Sequence, residues 1–141
     1  MSKLFALLGI CFILFSSCEK EDLAPRLRRE TAEKIMGKWM VDITINEVYD
    51  PLPTLKSTAQ EKGTADDFFD FKTDALVEVK SAASGSKMEE YMVWNPYQVK
   101  IGNVSWRIVE LTQTGLVLVW DRNDAARYMR FVTKVNLVRR P

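Results

Sequence analysis

The side chains able to do chemistry are few, and which ones are missing narrows the choice of function. The chain contains no histidine, so zinc centres, Ser-His-Asp triads and Cys-His nucleophiles, which need an imidazole as ligand or base, are excluded. Of two cysteines, Cys11 sits inside an apolar stretch and Cys18 directly follows the small residues Ser16 and Ser17. Adjacent carboxylates occur at Asp66-Asp67 and Glu89-Glu90. An acid and a base facing each other can hydrolyse a glycoside, but neighbours on a strand point to opposite faces, so these pairs read as solvated strand ends and turns. No nucleophile elbow, phosphate loop or acidic calcium loop accompanies them. The sequence predicts no enzyme activity, no metal and no cofactor.

Aromatic residues are the more suggestive feature. Trp39, Phe69, Phe71, Tyr91, Trp94, Tyr97, Trp106 and Trp120 all fall on predicted strands. Two readings of them stay open. Phe69, Phe71, Tyr91, Trp94, Tyr97, Trp106 and Trp120 could line a cavity for a small hydrophobic molecule, with the tyrosine hydroxyls orienting it. Alternatively they fill the core, since large aromatics bury about 150 to 250 Å² each. The loop Tyr49 to Leu55, Y-D-P-L-P-T-L, holds Pro51 and Pro53 and reads either as a rim contact for a protein partner or as a stiff loop over a barrel mouth.

The elements that must position these groups begin with a leader. Met1 to Ser17 has Lys3, an apolar run from Leu4 to Phe15, then two serines, which is the order of a secretory signal. As a helix the run reaches only about 18 Å, short of a hydrocarbon core of about 30 Å, so it does not read as a permanent span. Removing residues 1–17 takes away Lys3 and leaves 19 basic against 19 acidic residues. With no basic excess and no Lys/Arg patch, nucleic-acid binding is disfavoured. The remaining 124 of 141 residues fit one domain with a real core. Residues 18–26, charged and containing Pro25, read as a tether, and residues 27–141 as the folded domain.

Helical spacing of Leu27, Thr31, Ala32, Ile35 and Met36 predicts a short helix. Beyond Gly37, β-branched and aromatic runs predict eight strands, near Lys38 to Glu47, Asp67 to Lys72, Ala75 to Lys80, Glu89 to Trp94, Tyr97 to Ile101, Ser105 to Thr112, Leu116 to Asp121 and Arg127 to Val135. Long loops are expected over Val48 to Asp66 and Ser81 to Lys87. Short turns between the other strands predict antiparallel neighbours. Alternation puts Trp39, Val41, Ile43 and Ile45 on one face of the first strand. One apolar and one polar face on eight strands predicts an all-β, up-and-down antiparallel barrel, since closure removes exposed edges.

Two resemblances add to this reading. The string L-F-S-S-C, Leu14 to Cys18, resembles the lipobox of bacterial lipoproteins; it implies cleavage before Cys18 and lipid on its thiol, with Phe15 departing from the usual aliphatic residue. Glu19 to Asp22, E-K-E-D, resembles a signal that sends some Gram-negative lipoproteins to the outer face of the outer membrane, and reads equally as a hydrated tether. The folded part, with Gly37-Lys38-Trp39 after a short helix and F-F-D-F-K-T-D at Phe68 to Asp74, resembles the lipocalin-like domains of such lipoproteins. That resemblance implies that Trp39 plugs the closed end of the barrel under an arginine, Arg127 or Arg130. The Thr-Asp-Tyr motif and C-terminal helix of lipocalins are missing. The partners implied are a membrane, through the lipid, and a small apolar ligand or an envelope protein. A non-catalytic accessory subunit with a filled barrel is the alternative.

Overall fold

A computed structural model describes residues 23–139. The leader, Cys18 and the charged run behind it lie outside the described residues. Helix α1, Leu23–Ile35, ends where Gly37 takes φ +99°, a left-handed conformation that costs glycine nothing and lets the chain turn directly into a strand. Nine strands follow: β1 Gly37–Tyr49, β2 Leu55–Lys62, β3 Phe68–Phe71, β4 Leu76–Ser81, β5 Gly85–Asn95, β6 Gln98–Ile101, β7 Val104–Leu111, β8 Gly115–Asp124 and β9 Met129–Val138.

From β3 to β9 each strand pairs antiparallel with its successor. β1 pairs with β3 on one side and with β9 on the other, so eight strands close into a barrel. The ninth, β2, shares the β3 side of β1: β3 covers Gly37 to Met40, and β2 covers Ile43 to Tyr49. It therefore prolongs the wall beyond the rim rather than widening the barrel. The sequence predicts a loop there because Leu-Lys-Ser-Thr-Ala-Gln-Glu-Lys has no apolar alternation. All eight residues are exposed, and β1's backbone, not burial, makes the segment a strand.

Where β2 gives way to β3, the chain needs Gly63. A Cβ at this position would lie 2.0 Å from the Val41 carbonyl oxygen, and the Gly63 N–H donates to the Asp42 carbonyl at 2.8 Å. Opposite it, β1 carries a bulge between Val41 and Ile43. The extra residue reverses the alternation. Val41 stays inside opposite Leu137, but Ile43 and Ile45 turn outward opposite Asn136 and Lys134, and Thr44 and Asn46 take the inner positions opposite Val135 and Thr133. The shared face expected for Trp39, Val41, Ile43 and Ile45 therefore holds only as far as Val41.

The closed end is built around Trp39, which is fully buried with Phe71, Leu116 and Leu137. Its indole N–H donates to the Ile35 carbonyl at 2.7 Å, which ties α1 across the barrel end and satisfies an unpaired helix carbonyl. The covering cation is Arg139, not Arg130 or Arg127. Its guanidinium lies 4.2 Å from the indole ring and donates to the Lys34 and Met36 carbonyls at 2.6 and 2.5 Å. Register explains the correction. Arg130 pairs with Tyr49, ten residues up β1 from Trp39, or roughly 30 Å at about 3.3 Å per residue. There it makes a bidentate pair with Asp121 and lies 5.5 Å from the Tyr49 ring. Arg127 stands in the β8–β9 turn beside Asp124.

Three substitutions test this arrangement. Trp39→Ala should cost about 3 to 5 kcal/mol in denaturant unfolding, as for a large buried aromatic. Arg139→Ala should cost about 2 to 3 kcal/mol, from a cation over an indole and two charged hydrogen bonds. Arg130→Ala, breaking an exposed ion pair, should cost about 1 kcal/mol or less. Equal losses at Arg130 and Arg139 would reject this assignment of the clamp.

Candidate functional site

The lower bore is filled. Phe71 meets Tyr91 edge to face at 5.0 Å, and Phe69 stacks toward Phe71 at 6.4 Å. The Tyr91 hydroxyl donates to the Lys72 carbonyl at 3.0 Å, so it secures the β3–β4 turn instead of orienting a ligand. Burial, with the nearby Asp74 charge adding to it, pushes its phenol above the usual tyrosine range. Phe69, Phe71 and Tyr91 are thus brought together, as wall and floor of a packed core.

Above that floor the inner wall changes character. Trp120 on β8 and Trp106 on β7 lie 6.1 Å apart, their rings tilted by 48°, and both are half-buried. Arg122, two residues beyond Trp120, spreads its guanidinium 5.5 Å from the Trp120 ring and 5.0 Å from Phe131 on β9. Beside them Thr133 donates to the Asn46 side-chain oxygen at 2.8 Å. Arg122 forms no salt bridge among the described residues. These residues make an aromatic rim with one cation and an amide. Where β1 to β4 converge at the mouth, a hollow of about 220 Å³ is lined by Val41, Thr44, Glu61, Phe69, Val79 and Val135. That is smaller than the roughly 300 to 1,000 Å³ of sites that engulf a drug-sized molecule, so it suits a small group or the end of a chain.

Trp94 and Tyr97 do not join them. Val93 takes the inner position on β5, which leaves Trp94 on the outside, 49% exposed. Tyr97 falls in the β5–β6 turn and is 71% exposed. The alternation of Tyr97 with Val99 and Ile101 fails because β6 begins only at Gln98. Arg122 and Phe131 carried no signal beyond alternation, and only the β8–β9 register sets them opposite each other.

Neither acidic pair is arranged for general acid and base work. Asp66 pairs with Lys80 at 2.8 Å. Asp67 accepts from the Thr64 hydroxyl and N–H, both at 2.7 Å, and from the Ala82 N–H at 2.8 Å, which staples the β2–β3 connection to the β4–β5 turn at the rim. Glu89 ion-pairs with Lys87. Among the described residues no group of three histidine, cysteine or acidic side chains could hold a metal ion. The Tyr49 to Leu55 loop is a hairpin turn: Asp50 accepts from the Leu52 and Thr54 N–H groups at 3.0 and 3.1 Å, and Leu52 is 81% exposed.

The Thr64 hydroxyl first, then the Ala82 and Thr64 N–H groups, hold the Asp67 carboxyl below its ordinary pKa. A carboxyl lowered in the folded state adds stability above its unfolded pKa, and that contribution is lost as pH falls through the folded value. The melting temperature of wild type should therefore exceed that of Asp67→Asn at neutral pH, and the gap should close below about pH 4. A gap that persists in acid would show that the staple does not depend on the charge. No protein-family model matches this chain, and a search of curated proteins finds no match.

Proposed function

We propose that this chain is a lipid-anchored, lipocalin-like lipoprotein of the bacterial envelope that binds a small apolar molecule, or the apolar end of a larger one, at its barrel mouth. The observation that carries the reading is the pair Trp106 and Trp120 on the inner wall, half-buried above a filled bore and flanked by Arg122. Aromatic faces left partly uncovered on the inside of a barrel gain burial when an apolar group enters. The anchor rests on Leu14 to Cys18 and the outer-membrane address on Glu19 to Asp22.

Purified protein should take up an apolar fluorophore saturably and quench tryptophan emission. Trp120→Ala should weaken uptake about tenfold, the loss of one good aromatic contact, with far less effect on stability than Trp39→Ala. In cells, Cys18→Ser should abolish incorporation of labelled fatty acid, and normal labelling of that variant would sink the anchor.

A second reading is favoured by a specific observation. The bore holds Trp39, Phe71, Leu116, Leu118 and Leu137 at under 2% exposure, while Leu52 and Tyr128 stand 81% and 75% exposed on the hairpin turns beside the mouth. An accessory subunit of an envelope complex would use such a tip and need no cavity. Absence of saturable uptake, with Trp120→Ala as destabilising as Trp39→Ala, would select it.

A further inference from the structure

Helix α1 is only half packed. Every residue from Leu23 to Arg29 is exposed, whereas Thr31 and Ile35 are buried. Leu27 and Leu23 stand one and two helical steps of four before Thr31. The face that seats α1 on the barrel therefore runs on toward the helix N-terminus, apolar and increasingly exposed. Trp94 and Tyr97 flank the β5–β6 turn at that same end, and Tyr97 lines one surface hollow together with Leu27 and Glu30.

Charge points to what covers this face. Arg26, Arg28 and Arg29 occupy the first two turns of α1, with no acidic residue in the first. Positive charge at a helix N-terminus opposes the macrodipole and costs stability in water. Arg26 is offset by Glu30 at 2.9 Å, but Arg28 and Arg29 form no salt bridge among the described residues. Leu23 follows Cys18 by five residues, a reach of at most about 18 Å even when fully extended. Lipid on that cysteine keeps the first turn of α1 beside the headgroups. Exposed tryptophan and tyrosine favour that same layer, where one side of the ring is apolar and the other wet.

We infer that the exposed turns of α1 and the Trp94 and Tyr97 edge form a face that lies on a bilayer containing anionic lipid. Leu23, Leu27, Trp94 and Tyr97 sit at headgroup level, and Arg28 and Arg29 meet the phosphates. The inference rests on the Cys18 anchor proposed above. It directs the barrel mouth, at the opposite end, away from the membrane.

The full chain, expressed with its own leader and purified, is reconstituted into vesicles of phosphatidylcholine with or without phosphatidylglycerol, their acyl chains brominated near the headgroup. Flotation reports anchoring, and bromine quenching of tryptophan emission reports depth. The protein should float, its emission should be quenched more on anionic vesicles, and Trp94→Phe should remove most of the quench. Arg28→Gln with Arg29→Gln should lower the docked-to-undocked ratio about fivefold for each charge lost while flotation is kept. Flotation with equal quench in wild type and Trp94→Phe overturns the docking face and leaves the anchor standing. Protein that does not float overturns both.

Discussion

Pairing of β1 with β9, from Met40 to Tyr49 against Val138 to Arg130, turns a meander into a closed wall. Without that ladder β9 would present an open edge, and β1 would lose its partner on that side. Closure is also what gives the chain an inside. Val135 and Leu137 on β9 and Leu116 and Leu118 on β8 are buried because β1 returns Trp39 and Val41 to face them. Only after the wall closes can one end be plugged, and the plug holds by a small number of contacts: an indole in the bore, its N–H on the Ile35 carbonyl, and Arg139 over its face.

The two ends of the barrel are then differentiated by one inserted residue. The bulge at Asp42 brings Thr44 and Asn46 inward in place of isoleucines, so the bore is dry below it and mixed above it. Ile43 and Ile45, moved outside, join Val119 and Val132 on the convex surface, where Val132 lies between Glu47 and Asp121 and two residues from Arg130 along the strand. The ion pair of Arg130 with Asp121, and Tyr49 donating to Glu47 at 2.8 Å, are arranged over that apolar strip. A charged network over an apolar strip of the outer wall is a different job from the cover over Trp39 first expected of Arg130.

The proposed function rests on the same asymmetry. The closed end carries the chain's entry through α1 and a band of uncovered aromatic and cationic side chains. The open end carries Trp106, Trp120, Phe131 and Arg122, with the Asp67 staple holding the rim. The proposed tether at one end and the proposed binding surface at the other need not interfere, because the length of the strands, roughly 30 Å of wall at about 3.3 Å per residue, separates them.

Much of this was legible in the sequence. The absence of histidine, the all-β texture, the helix before Gly37 and the burial of Trp39 follow from residue type and spacing alone, since composition, turn chemistry and period-two alternation are local properties. What the tertiary structure decided is non-local. β2 is a strand only because β1 offers it hydrogen bonds. Ile43 and Ile45 face outward only because of a bulge that alternation cannot register, and Tyr97 lies outside because β6 begins one residue after it. Arg139 rather than Arg130 covers Trp39 because register places it at the closed end. Arg122 meets Phe131 across a ladder, not along a strand. Each of these depends on how two distant segments align, and a shift of one residue in that alignment exchanges the inside of the barrel for the outside.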